Sequence, residues 1–92
     1  ALVGTHTHVP TSDNKILPEG TGFVSDLGMV GGKNTILGMD KDASINRFFN
    51  GKRIRMNPVE KGDMVFNSVL IDIDKSSKRT KSITRIDREI HI

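Results

Sequence analysis

Ala1-Leu2-Val3-Gly4-Thr5-His6-Thr7-His8-Val9 sets an apolar strand end directly against a polar loop carrying two imidazoles. A strand whose successive side chains are all apolar needs cover on both faces, the condition of a strand inside a layered α/β sheet. The stretch has no initiator Met, charged leader or apolar signal core. It therefore reads as the last residues of a buried strand whose neighbours lie upstream. In extended backbone, residues i and i+2 point the same way. His6 and His8 are thus expected to face one pocket at the carboxyl edge of the strand, where open α/β sheets commonly bind ligands.

Working outward, residues 4–18 are rich in Thr, Ser, Asp, Asn and Pro, which favour local side-chain to backbone hydrogen bonds over regular structure. Thr21 to Asp26 is a short strand candidate ending at Gly28, followed by a glycine-bearing loop through Gly31, Gly32 and Gly38. A helix is expected from Asp40 to Asn50. Asp40 can cap it, Asp42 suits the positive end of its dipole, and Asn50-Gly51 stop it. Ile45, Phe48 and Phe49 recur at helical spacing, so one face should be core. Met64 to Asp74 carries apolar residues on both faces and reads as one interior strand. After the polar turn Asp74 to Arg79, Thr80 to Ile90 returns, and the pair predicts a terminal β-hairpin.

Composition narrows the function. Ninety-two residues allow one small core. At 35% hydrophobic residues there is no apolar run long enough to span a membrane. The absence of Cys removes disulfides and thiolate metal sites, leaving nitrogen and oxygen ligands. The net charge of +3 concentrates in Lys52, Arg53 and Arg55 and in Lys75, Lys78, Arg79, Lys81, Arg85 and Arg88. With only Phe as aromatic residue, and most of those rings expected inside, no nucleic-acid motif accompanies the charge, which reads as a solvated face.

Two neutral imidazoles at a strand end suit zinc, iron and related metals, but a His-x-His pair alone does not decide between a metal half-site and a solvated pair. The wider sequence carries more. Gly4-Thr5-His6-Thr7-His8-Val9 resembles the last Gly-His-x-His block of calcineurin-like metallophosphoesterases, with Thr5 inserted before the first His. The ordered series Ile16-Leu17-Pro18, Gly20-Thr21, Ser25-Asp26-Leu27-Gly28-Met29, Ile36-Leu37-Gly38-Met39-Asp40-Lys41, Arg47-Phe48, Val69 to Asp74 and Ser82 to Ile86 is similar to the bacterial YmdB-like branch. The resemblance implies an α/β fold in which residues 1–92 form the carboxy-terminal part of one four-layer αββα domain. It implies a cytoplasmic hydrolase of phosphodiesters, including 2',3'- or 3',5'-cyclic nucleotides. Two transition-metal ions, iron or manganese, would be held with His6 on one and His8 on the other. The remaining ligands would lie upstream, so these residues alone should be inactive. Assembly into a homo-oligomer is left open.

Other candidates weigh less. Gly28 to Asn34 lacks P-loop spacing, and Asn34 stands where Ser or Thr should meet magnesium. Among carboxylates, Asp40 reads as the helix cap and Asp13 as a turn residue, while Asp26 stays open as a metal ligand. Nothing around Glu19 or Glu60 marks an acid catalyst, and His91 is expected in solvent. The reading from a different class is a non-catalytic binding or assembly module in which His6 and His8 hold no metal.

Overall fold

The computed structural model describes residues 1–51 and 57–92. Lys52, Arg53 and Arg55 of the first basic stretch lie outside the described residues. The fold is mixed α/β, with one helix among the described residues and three small sheets. In the first sheet, β1 (Leu2–Val3) runs parallel to β3 (Gly22–Val24), and β2 (Lys15–Ile16) flanks β3 on its other side. The second sheet pairs β4 (Val30–Gly32) with β5 (Asp63–Phe66), and β5 with β8 (Arg88–His91). The third is the ladder of β6 (Val69–Ile73) on β7 (Thr80–Arg85).

The expected terminal hairpin is present, but neither of its arms is one strand. Asn67-Ser68 and Ile86-Asp87 break them opposite one another. The inner ladder then packs beside the β1–β3–β2 sheet, while the outer ladder joins β4. Apolar residues on both faces of residues 64–74 thus reflect two strands in two sheets. β5 is interior, but β6 pairs only with β7 among the described residues. The expected glycine loop is likewise half strand, since Val30 to Gly32 pair with Phe66 to Met64.

The helix α1 (Lys41–Asn50) matches its sequence signals. Asp40 Oδ2 accepts from the Ala43 N–H at 3.0 Å. Gly51 ends the helix in the left-handed conformation (φ 63°), where its N–H donates to the Arg47 carbonyl, an arrangement that disfavours any side chain. The expectation that one face is core does not hold. No residue of α1 is buried, and Phe48 and Phe49 are 84% and 78% exposed. Spacing defines an apolar stripe without supplying a surface to cover it. The expectation that most Phe rings lie inside fails as well, for Phe66 is also exposed.

The radius of gyration is 16.9 Å, against about 12 Å for a compact domain of this length. An extended shape leaves little interior. Val24, Met64 and Ile83 are the buried apolar residues among those described, accompanied by two polar ones, Asp26 and Thr80. Thr80 ties the hairpin to the first sheet, its N–H donating to the Gly20 carbonyl and its Oγ1 accepting from Gly22 N at 2.9 Å. No helix of the described residues is long and apolar enough to cross a membrane.

Candidate functional site

His6 and His8 do not continue β1 in extended form, as the i, i+2 argument expected. Residues 6–9 bend, and His8 has φ 64°. The cause is Asp26, from the loop after β3. Its Oδ2 accepts from the backbone N–H of His6 at 3.1 Å, from Thr7 N at 2.8 Å and from Thr7 Oγ1 at 2.7 Å; its Oδ1 accepts from Gly28 N at 2.9 Å. Four donors on one buried carboxylate strongly favour its ionised form. The Thr7 hydroxyl and the Gly28 amide lead in holding it far below the usual carboxylate range. Asp26, left open as a metal ligand, is spent on shaping the histidine loop. Asp13 does the same one step out: its carboxylate accepts from the Thr11 hydroxyl and from the Ser25 hydroxyl and N–H. Those bonds, the Ser25 hydroxyl first, lower its pKa to about 2.

Arg85 closes the arrangement from the hairpin. Its Nη2 donates to the Leu27 carbonyl at 2.6 Å, and its Nη1 lies 3.3 Å from both the Thr11 and the Asp26 carbonyls. On its other edge it meets Asp87 in a fork, Nε to Oδ2 at 2.9 Å and Nη2 to Oδ1 at 3.0 Å. Each partner favours the charged form of the other, so the Arg85 pKa is raised and that of Asp87 lowered. Asp87 also accepts from Asn67 Nδ2 and from Ser68 N. Asn67 Oδ1 accepts from Met29 N at 2.9 Å. Gly28, at φ 98°, passes so close that a Cβ would sit 2.4 Å from Asn67 Oδ1. One polar knot therefore joins the histidine loop, the breaks in the hairpin and the entry to β4. Sequence reading placed Arg85 on a solvated basic face, and no local signal separates it from its neighbours there.

His8 is oriented from the other side. Its Nδ1 lies 3.1 Å from the Leu37 carbonyl oxygen, in the β4–α1 connection. A carbonyl only accepts, so Nδ1 carries the proton, and in the neutral ring Nε2 keeps its lone pair. Metal-binding histidines are commonly fixed in this way by a carbonyl on the second nitrogen. Both residues of the contact have positive φ, His8 at 64° and Leu37 at 55°, conformations that cost free energy and cluster at functional sites. His8 also lines two cavities, whereas His6 lines neither.

The donor set fits a transition metal in kind, since neutral imidazole is a good ligand, but not in number. Among the described residues no group of three or more His, Cys, Asp or Glu could hold an ion. A metal held here would need further ligands from outside the described residues. The remaining candidates lie apart from this chemistry: Asp40 caps α1, Glu19 and Glu60 are exposed, and His91 Nδ1 meets Asp63 Oδ1 at 2.8 Å on the surface. Gly28 to Asn34 form no phosphate cradle, because β4 occupies the middle of the segment.

The model of the YmdB-like protein family matches residues 1–86, and the chain belongs to that family. It is 46% identical over 86 residues to the 2',3'-cyclic-nucleotide 2'-phosphodiesterase of Bacillus subtilis (strain 168), covering 94% of this chain and 32% of that protein. It superposes with a TM-score of 0.86 and 33% identity on the crystal structure of a novel phosphatase from Mycoplasma pneumoniae, over 95% of this chain and 31% of that one. A hypothetical protein from Thermus thermophilus gives a TM-score of 0.84 at 31% identity, again over 95% of this chain and 33% of that one. The chain thus spans about a third of the length of these relatives. The relatives named for an activity are hydrolases of phosphate esters.

Proposed function

We propose that the whole protein is a metal-dependent phosphodiesterase acting on cyclic nucleotides at a dinuclear centre, with His6 and His8 each supplying an imidazole to one ion. The observation that carries this reading is the His8 ring, whose Nδ1 donates to the Leu37 carbonyl and leaves Nε2 for a ligand. Membership of the YmdB-like family and the name of the Bacillus subtilis relative support the substrate class. Bound there, the metal ions supply charge stabilisation at the phosphoryl group and a water nucleophile usable at neutral pH. This chain's own part is to present two imidazoles on a loop held by Asp26 and Arg85, with the His8 ring oriented by the Leu37 carbonyl. Residues 1–92 alone, with two donors, should not turn over substrate.

Elemental analysis of the purified whole protein, together with hydrolysis of a 2',3'-cyclic nucleotide, tests the reading. About two equivalents of iron or manganese and metal-dependent turnover are expected. His6→Ala and His8→Ala should each preserve the circular dichroism spectrum and deplete mainly one ion. Each should lower activity by more than the roughly 10–100-fold typical of losing an outer-shell partner. Full metal content and activity in both variants would remove the two histidines from the site. No metal and no turnover in the unaltered protein would favour the non-catalytic binding or assembly module.

A further inference from the structure

We infer that the cavity between His8 and the β4–β5 surface is the subsite for the base of a nucleotide substrate, an inference that rests on the phosphodiesterase reading. The cavity measures about 560 Å³ and has His8, Pro10, Met29, Ile36 and Val65 on its walls. Pockets of roughly 300–1,000 Å³ usually take small organic ligands. Since His8 belongs to the wall itself, a phosphoryl group held at that imidazole opens directly into the cavity.

The interior does not suit the phosphoryl group. Its side chains are mainly aliphatic or thioether, and the cation on its wall, Lys33, is matched by Glu89, whose Oε2 lies 2.9 Å from Nζ. An anion moving inward would lose hydration without meeting an unmatched positive charge. A flat heteroaromatic base loses far less on leaving water. It gains contact with the Met29 sulfur and the Ile36 and Val65 branches, and soft thioether–aromatic contacts are favourable. Lys33 and Glu89 set a donor and an acceptor side by side for the polar edge of such a ring. The second cavity reaching His8, about 410 Å³, is also largely apolar and shares Met29, but among the described residues it has no lysine or carboxylate on its wall to meet the polar edge of a base.

The test compares two substrates of the metal-loaded whole protein: a 2',3'-cyclic nucleotide and glycerol cyclic phosphate, which presents the same cyclic ester without a base. Filling the cavity with Ile36→Trp, and separately with Val65→Phe, should lower the kcat/KM ratio of nucleotide over base-free ester by about ten-fold or more. A ratio unchanged in both variants overturns the inference and leaves the phosphodiesterase reading standing. Failure of the unaltered protein to hydrolyse either compound overturns both. A readout independent of turnover uses metal-free whole protein labelled at methionine methyl carbons. Adenosine should move the Met29 methyl resonance, and Ile36→Trp should abolish the movement. An unmoved Met29 resonance in the unaltered protein at millimolar adenosine also overturns the assignment.

Discussion

Around His6 and His8 the chain is held by side chains that reach across the sequence, whereas the β4–β5–β8 sheet and α1 are held by backbone ladders and a local cap. Asp26 gathers three groups of the histidine loop, and Arg85 spans from the hairpin to the carbonyls of Thr11, Asp26 and Leu27. In the second region the corresponding connections are strand pairing, the Lys33–Glu89 pair at the surface and a helix with no buried residue. Polar side chains in fixed geometry specify one loop conformation, while ladders specify a surface. The difference places conformational precision where the imidazoles are and leaves the second region to form cavity walls.

Perturbing the polar side of this contrast should have the largest effect. Asp26→Asn keeps the shape but turns one acceptor oxygen into a donor, in conflict with N–H groups that now point at the carboxylate. Metal affinity and activity of the whole protein should fall by roughly 10–100-fold with the fold retained by circular dichroism. Wild-type metal affinity would show that the loop holds its shape without the charge.

Arg85→Ala should follow, destabilising the protein by about 2–3 kcal/mol because charged hydrogen bonds to partly buried carbonyls are lost. Urea unfolding measures this, and a loss confined to a few tenths would mean that water replaces the guanidinium.

Acid should distinguish the regions further. The Asp13 pKa is lowered from 3.8 to about 2 by the Ser25 and Thr11 hydrogen bonds. Its stabilisation is therefore complete above 3.8 and fades as the pH falls through 2. Amides of Ser25 and its neighbours should lose hydrogen-exchange protection in that window before those of β5 and β8 do. Asp13→Asn should abolish the difference.

On the local side, Gly51→Ala should cost about 1 kcal/mol, the penalty of a left-handed backbone with a Cβ, since no atom of the described residues lies within 4 Å to clash with one. The smallest effect is expected from Phe48→Ala, under about 0.5 kcal/mol for a ring this exposed. A cost of about 3–5 kcal/mol in the whole protein would show instead that the stripe is covered there.

What the sequence made legible follows the same division. The helix ends were readable because Asp40 and Gly51 act on their nearest neighbours, and the hairpin because its turn and alternation are contiguous. The breaks at Asn67 and Ile86 were not, since apolar periodicity runs through them and only pairing with different sheets divides the arms. The strand at Gly31 and Gly32 is imposed by β5 against weak intrinsic preference. The histidines were identifiable as candidate ligands, but their bent backbone depends on Asp26 and Leu37, partners distant in sequence. Arg85 escaped notice for the same reason.

The position of Arg85 also bears on how the protein is made. During synthesis His6 and His8 leave the ribosome long before the guanidinium that braces their loop. Under the proposed metal reading, the nascent imidazoles would be open to cellular metal well ahead of that bracing. Domains form as units while translation proceeds, so the bracing arrives only with the hairpin, and any selection among ions by the proposed site would wait until those strands have docked.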